Sequence, residues 1–454
     1  MAVWSELSIS SINSNYGRID SEYYRPEFIK NDNILDLLPT RRLKGITNRI
    51  DVGYVGSTVQ HYRDKGILLL QTQNVQSFFL DLTNTVKIDE IFHNKLKKSK
   101  VQEGDILLAR SGSFGKASIY LEKEVINSAD IIIINIDTTK DMDNLYCLAF
   151  INSEYGQNQL LRYASGAVQR HINLKILEDF RIPFLNKILQ HEISGLISDA
   201  YSKHKKAQYL YIEAQHIIDA DLGLNELKFD KSVGSETVAS AIFKNNRTDA
   251  EFYQTRFTQL LSVVLKYKNG YKPFYDVAEQ VLPNFVPHIR DANYKYLEIG
   301  DVSVHDGSYN TNLISAKDLP ANAKIKLSGG ELVISQVRPT RGAIAIIDDV
   351  LDYDTICSGA FFVCRILDAN SREIIWLYLR SIKNVFEKYC GGTSYPTIES
   401  YYLRKFSIPN FETDISLKIK ALITESIKAR LEAKQLLEQA KKRVEKLIKE
   451  AVIS

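Results

Sequence analysis

Apolar residues fall in two patterns along this chain. Most form short runs of Ile, Leu and Val bounded by Gly, Asn, Asp or Ser, the mark of strands ended by turns. Leu68–Leu70, Asp105–Ala109, Ala117–Tyr120, Asp130–Ile136, Leu332–Ser335 and Ala343–Ile347 read as strands of this kind. Glycine punctuates the turns, as in Ser111-Gly112-Ser113-Phe114-Gly115. The second pattern is a three–four spacing. Ile193, Leu196, Ala200, Ala207, Leu210, Ala214 and Ile217 mark a helix from about His191 to Asp221, broken at Gly223. Another helix is expected from about Asp414 to the last residues.

The two patterns occur twice, in the same order. Arg18-Ile19-Asp20-Ser21-Glu22-Tyr23-Tyr24 recurs as Arg247-Thr248-Asp249-Ala250-Glu251-Phe252-Tyr253. Gly104-Asp105-Ile106-Leu107-Leu108 recurs as Gly330-Glu331-Leu332-Val333-Ile334, and Phe180-Arg181-Ile182-Pro183 recurs as Phe406-Ser407-Ile408-Pro409. The last two matches share one offset, and the first departs from it only slightly. The chain is therefore a tandem duplication of a unit of about half its length. Moving the first helical seam on by the offset that carries Gly104 to Gly330 gives Ile419, Leu422, Ser426, Ala433, Leu436, Ala440 and Arg443. The seam then runs on through Val444 and Leu447. Alanines at 207, 214, 433 and 440 would let two helices approach closely. A long surface helix packing on its own domain is the plainer alternative. The length, late position and Ala-rich seam favour pairing, over roughly 45–60 Å for helices of about 30–40 residues.

The expected fold is α+β: two tandem, mostly β domains with short helices, each followed by a long helix, the two helices pairing as an antiparallel coiled coil. The boundaries read as 1–186, 187–224, 225–412 and 413–454.

Composition narrows the partners. Hydrophobic residues at 44% and charged residues at 25% suit a packed globular chain. A net charge of +3 is too small for a basic coat, so nucleic-acid binding must come from local patches or be shared with partner subunits. The opening MAVWSELSIS has no basic or apolar leader region, and no apolar run approaches a membrane span. Cys147, Cys357, Cys364 and Cys390 form no CxxC pair and read as reduced thiols in a cytoplasm.

Two variable domains, each followed by a long helix, resemble the specificity subunit of type I restriction–modification systems, and the resemblance covers essentially the whole chain. The run from Gly104 to Lys116 resembles the family's G-D-I-L-hydrophobic-x-R-x-G-x-x-G element. Ser165-Gly166-Ala167-Val168-Gln169 through Ile172 to Ile182-Pro183 resembles its S-G-x-x-Q-x-x-I … I-P element, and the R-x-D-x-E-Y-Y openings are also of that kind. The second copy departs from the pattern. Gln336 replaces the arginine, the loop Arg338-Pro339-Thr340-Arg341-Gly342 follows it, and Gly391-Gly392-Thr393-Ser394-Tyr395-Pro396 lacks the glutamine. The resemblance implies two target-recognition domains, each reading one half of a split site in double-stranded DNA. It implies helices that space the half-sites and dock methyltransferase subunits, which carry S-adenosylmethionine. A translocase–nuclease subunit can join such a complex. No cofactor is expected in this chain.

DNA reading needs hydrogen-bonding side chains on loops and cations for phosphates. Gln71, Gln73, Asn74 and Gln76 follow a strand, and amides can pair with an adenine edge; a solvated polar strand end is the plainer alternative. Arg110, Ser111, Ser113 and Lys116 flank a glycine-rich turn that a phosphate could approach, or form a plain hairpin. Gln169, Arg170 and His171 share one loop. The second-copy candidates are Gln336, Arg338, Arg341, Thr393, Ser394 and Tyr395, the last of which could simply pack on Pro396.

Enzyme readings lack their motifs. There is no N-P-P-Y-like or P-C element for a methyltransferase, and Gly112–Ala117 has the wrong spacing for a P-loop. Acidic pairs such as Asp348-Asp349 are expected by chance, and no HExxH spacing is present. His204 falls on the helix seam and reads as a packed or capped residue, not a ligand. The alternative to DNA reading is a protein-interaction scaffold with the same duplicated fold, which the small net charge keeps open.

Overall fold

The structure is a computed structural model that describes residues 18–112, 114–164, 171–227, 237–245, 247–286, 292–392 and 394–453. It divides into two compact units, Met1–His204 with Arg430–Ser454, and Lys205–Ala429. Each long helix thus contributes to both units.

Among the described residues the first unit is built on twelve strands: β1 (Thr40–Arg42), β2 (Thr47–Val52), β3 (Tyr62–Arg63), β4 (Ile67–Leu70), β5 (Phe78–Phe79), β6 (Val86–Ile88), β7 (Lys100–Val101), β8 (Ile106–Ala109), β9 (Ala117–Ile119), β10 (Ile126–Ser128), β11 (Ile131–Ile136) and β12 (Arg181–Pro183). One sheet runs β2-β11-β8-β9-β5, the other β3-β6-β4-β10-β7, and β1 pairs with β12. Every residue of β8 is buried, as are five of the six in β11. Side chains alternate between the faces of a strand. Ile106, Leu108, Ile132 and Ile134 enter a core shared with the helices Asn144–Asn152 and Glu154–Tyr163, while Leu107, Ala109, Ile131 and Ile133 enter a second core with Leu70 and Val101. A sheet covered on both faces needs unbroken apolar runs, which is why Ile131-Ile132-Ile133-Ile134 carries no polar alternation.

The second unit repeats this plan with β13 (Tyr271–Pro273), β14 (Ala278–Val281), β15 (Asn293–Leu297), β16 (Asn312–Ser315), β17 (Ala323–Leu327), β18 (Leu332–Ser335), β19 (Ile344–Ile346), β20 (Thr355–Ser358), β21 (Phe361–Ile366), β22 (Cys390–Gly391), β23 (Thr397–Ile398) and β24 (Ser407–Pro409). Its sheets run β14-β21-β18-β19 and β16-β15-β20-β17, and β13 pairs with β24. A parallel pair sits inside an otherwise antiparallel sheet in each unit, β4 with β10 and β15 with β20. The duplication read from sequence is a duplication of topology.

The acid of the Gly-Asp and Gly-Glu repeats lies before the strand and is fully buried. Asp105 accepts from Arg49 at 2.6 Å, from Asn135 at 2.7 Å and from the Gln102 N–H at 2.8 Å. Glu331 accepts from Arg365 at 2.8 Å and from the Gly329 N–H at 2.8 Å. Asp130, expected within a strand, has φ 52°, and β11 starts one residue later.

The long helices are Lys187–Asp221 and Thr413–Ile453, and Gly223 at φ 68° follows the first. Their lengths, 35 and 41 residues, correspond to about 50 and 60 Å. In the first unit Glu192 pairs with Arg443 at 2.7 Å and Lys203 with Glu432 at 2.5 Å. Rising numbers on one helix meet falling numbers on the other, so they run antiparallel. Ile193, Ile197, Ala200, Ala433, Ala440 and Val444 lie in this seam. In the second unit Lys206 pairs with Glu425 at 2.6 Å, and Ile218, Ala214, Ile419 and Ile423 share a core. Ser426, a break in the expected seam, is buried and donates its hydroxyl to the Ala207 carbonyl at 2.7 Å. Arg443 leaves the seam for its ion pair, as its charge requires. Among the described residues no helix is long and apolar enough to cross a membrane.

Candidate nucleic-acid interface

In the first unit the chain leaves β4 into a single 3-10 turn, Thr72–Asn74. Gln71 and Asn74 build it. The Asn74 Oδ1 accepts from the Gln71 N–H at 2.8 Å, and the Asn74 amide donates to the Asp81 carbonyl at 2.9 Å. Asn74 is 2% exposed, so its role is to shape the turn, not to contact a ligand. Gln71 donates to the Tyr62 hydroxyl at 3.0 Å, and Gln73 donates to Gln71 Oε1 at 3.2 Å. Gln73 is the exposed member of this row. Gln76 donates to the Gln73 carbonyl at 3.0 Å and accepts from Lys116 Nζ at 2.6 Å. The Lys116 cation is thereby fixed beside the amides.

The β8–β9 turn joins the same patch. Arg110 Nη1 lies 3.1 Å from Asp130 Oδ1, and the Ser111 hydroxyl donates to the other Asp130 oxygen at 3.1 Å. Thr72 Oγ1 donates to the Asp130 carbonyl at 3.3 Å, which links this group to the glutamine turn. The structure thus gathers Gln71, Gln73, Gln76, Arg110, Ser111 and Lys116 on one side of the unit. Arg110 is held by a carboxylate, so it meets a phosphate only by exchanging one anion for another. Ser113, Gln169 and Arg170 lie outside the described residues. His171 is half-buried next to Ile172, a core residue.

The second unit gathers its candidates differently. Gln336, at the position of Arg110, donates to the Ile398 carbonyl and the Ser400 hydroxyl, each at 3.1 Å. It ties two strands' ends together and takes a structural place. Arg338 adopts φ 48°, a left-handed conformation disfavoured for a side chain with a Cβ. Its N–H donates to the Pro396 carbonyl at 2.7 Å, its guanidinium reaches the Ser394 carbonyl at 3.3 Å, and it stacks 4.4 Å from the Tyr395 ring centre. Tyr395 is 67% exposed, so the ring stands out from Pro396 instead of packing away. Arg341 is exposed one turn later, and its carbonyl accepts from Lys383 at 3.2 Å. Burial, and then the nearby Arg380, pushes the Lys383 ammonium below its ordinary range. Thr393 lies outside the described residues. Arg338, Arg341, Ser394 and Tyr395 therefore form one largely exposed, cationic and aromatic patch.

One pair of turns escaped the sequence reading. Glu298 and Asp301 build a turn after β15 as Gln71 and Asn74 do after β4, with the Glu298 N–H donating to Asp301 at 2.9 Å. The signal was present: Leu297-Glu298 follows Leu70-Gln71 at one step from the repeat offset. Exchange of amides for carboxylates hid it.

Residues 15–213 match the family model of the type I restriction modification DNA specificity domain. The chain is 26% identical over 137 residues to the specificity subunit of the type I restriction enzyme EcoBI of Escherichia coli. That match takes 30% of this chain and spans 29% of the relative's own length. Among solved structures, the S subunit of a type I restriction-modification system from M. genitalium aligns with 91% of this chain and 95% of its own, at 12% identity and a TM-score of 0.43. The HsdS subunit from Thermoanaerobacter tengcongensis aligns with 90% and 95%, at 10% identity and a TM-score of 0.28.

Proposed function

We propose that the whole chain is the DNA sequence-recognition subunit of a type I restriction–modification complex. In this reading residues 1–186 and 225–412 are target-recognition domains, each binding one half of a bipartite site in double-stranded DNA. Residues 187–224 and 413–454 are the spacer. The observation that carries the reading is the recurrence of one topology in both units, each with its own at least partly exposed polar patch on loops beyond its strands, alongside antiparallel long helices. Two copies of a scaffold bearing different loop chemistry are what reading two different half-sites requires.

The same reading makes the chain non-catalytic and cytoplasmic. Methyltransferase subunits, supplying S-adenosylmethionine, and a translocase–nuclease subunit would dock on it, and their chemistry would act at DNA that this chain has chosen. Each patch holds only a few cations, Arg110 and Lys116 in one and Arg338 and Arg341 in the other, in keeping with a net charge of +3 and with phosphate binding shared among subunits.

Co-expression with methyltransferase subunits, followed by size exclusion and sequencing of modified bases in the host genome, tests this. A stable complex and a motif of two short specified halves with a fixed gap are expected. No complex and no modification would favour a scaffold that does not read DNA.

A further inference from the structure

Arg380 lies in the last turn of the helix Arg372–Ser381 and is 6% exposed, yet among the described residues no carboxylate pairs with it. A buried guanidinium is tolerated where its hydrogen-bonding demand is met, and here each of its five N–H groups has an oxygen to meet. Nε donates to the Tyr211 hydroxyl at 3.1 Å. Nη1 donates to the Gly342 carbonyl at 2.9 Å and to the Ile344 carbonyl at 3.2 Å. Nη2 donates to the Val304 carbonyl at 3.1 Å and to the His305 carbonyl. The Trp376 ring centre lies 5.2 Å from the guanidinium, and its indole N–H donates to the same Ile344 carbonyl at 3.0 Å.

These acceptors come from separate parts of the second unit. Tyr211 belongs to the long helix Lys187–Asp221. Gly342 ends the 3-10 turn Pro339–Arg341, which carries the exposed Arg341 and follows Arg338. Ile344 opens β19, and Val304 and His305 lie in the loop between β15 and β16. Gly307, at φ 65°, brings that loop in: a Cβ there would lie 2.5 Å from the Ile344 carbonyl oxygen and 2.7 Å from Trp376. Four of the five acceptors are main-chain carbonyls. Arg380 therefore fixes the path of the backbone and leaves the Arg338 and Arg341 side chains free to face a ligand. The first unit has no such hub at the equivalent place. The offset that carries Gly104 to Gly330 puts Glu154 where Arg380 stands and carries Tyr211 to Leu437. Glu154 is exposed, and its backbone N–H donates to Glu445 at 2.9 Å.

We propose that Arg380 is a positioning residue that fixes the second domain's recognition loop, Arg338–Gly342, relative to the first long helix. This rests on the DNA-recognition reading above. Arg380 touches no DNA; it acts through the Gly342 carbonyl and so sets where the Arg338 and Arg341 cations stand. Because the first unit places an exposed glutamate at that position, loss of the hub should blur one half-site and leave the other sharp.

The test uses two variants. Arg380→Lys keeps the charge but replaces the planar fork with a single ammonium that cannot hold all five oxygens. Tyr211→Phe keeps the ring on the helix and removes only the hydroxyl that Nε meets. Each chain is expressed with the methyltransferase subunits, modified bases are sequenced genome-wide, and thermal unfolding is measured on each purified complex. Arg380→Lys is expected to relax discrimination at the second domain's half-site on the order of tenfold, within the cost of one misread base pair. Tyr211→Phe should relax the same positions by a smaller factor, and the first half-site should stay as in wild type for both. If Arg380→Lys does not fold, Tyr211→Phe decides alone. Variants that modify the wild-type motif unchanged, or that weaken both halves alike in step with melting, overturn the positioning role. A wild-type complex with no bipartite motif overturns the DNA-recognition reading itself, and the role of Arg380 with it.

Discussion

Arg110 and Asp130 form an ion pair, Nη1 to Oδ1, at 3.1 Å, in the middle of the first unit's polar patch. Both side chains are about one-third exposed, so water screens the pair and it adds little stability. Its consequence is for binding. Asp130 keeps Arg110 oriented and half-neutralised until a stronger anion competes for it.

Asp130→Asn should therefore release Arg110 toward DNA. Affinity for non-cognate duplex is expected to rise a fewfold at low salt. The slope of log K against log salt should steepen by about 0.9 for one added phosphate contact. A salt titration by fluorescence anisotropy checks this. An unchanged slope would place Arg110 away from the phosphates.

Arg338 separates stability from binding. Its left-handed backbone costs roughly 1–2 kcal/mol, which glycine avoids, while loss of the exposed stack on Tyr395 gives back about 0.5–1 kcal/mol. Arg338→Gly should thus leave the second unit as stable or more stable by up to about 1 kcal/mol, yet weaken binding to DNA. Denaturant unfolding and binding assays on the same preparation decide it. A parallel fall in both would make Arg338 a structural residue only.

The buried acids should behave in the opposite way. Asp105→Ala strands the Asn135 amide and the Gln102 N–H in a core position that is 0% exposed. A loss of about 2–3 kcal/mol is expected, with Arg49, which is 26% exposed, free to rehydrate. Urea unfolding measures it. DNA affinity of the folded fraction should not change.

Lys388 gives a pH dependence with a defined sign. Burial, and then the neighbouring Arg247, lowers its ammonium to about 8, with Asp249 opposing and the Phe252 and Tyr253 rings alongside. Between pH 8 and its ordinary value of 10.5 the unfolded chain holds a proton that the folded chain has shed. More protons on the unfolded state means that stability rises with pH in that window. The difference in stability between wild type and Lys388→Met should therefore move in favour of wild type from pH 8 to 9.5. A flat difference would show that Lys388 stays charged when folded.

Much of the architecture was legible because burial on two faces leaves a mark. The Ile131–Ile136 and Leu332–Ser335 runs and the alanines at 200, 207, 433 and 440 each announce their surroundings. The helix Asn144–Asn152 did not, since it is buried nearly all round and has no polar face to give a period. Site residues were harder. Residue type pointed to Gln71, Asn74 and Gln336 as ready hydrogen-bonding groups, but capping a turn or tying strand ends uses the same amides. Arg338 and Tyr395 are far apart in sequence, and only the loop geometry makes them one platform.

Independent reading of each half-site by its own module is tested most directly by a chain in which residues 225–412 are replaced by a second copy of residues 1–186. The hybrid is assembled with the methyltransferase subunits, and the host genome is sequenced for modified bases. Independent reading predicts a motif whose two halves are both the first module's half-site. An original second half-site that persists, or no modification from a hybrid that assembles and melts normally, would contradict it.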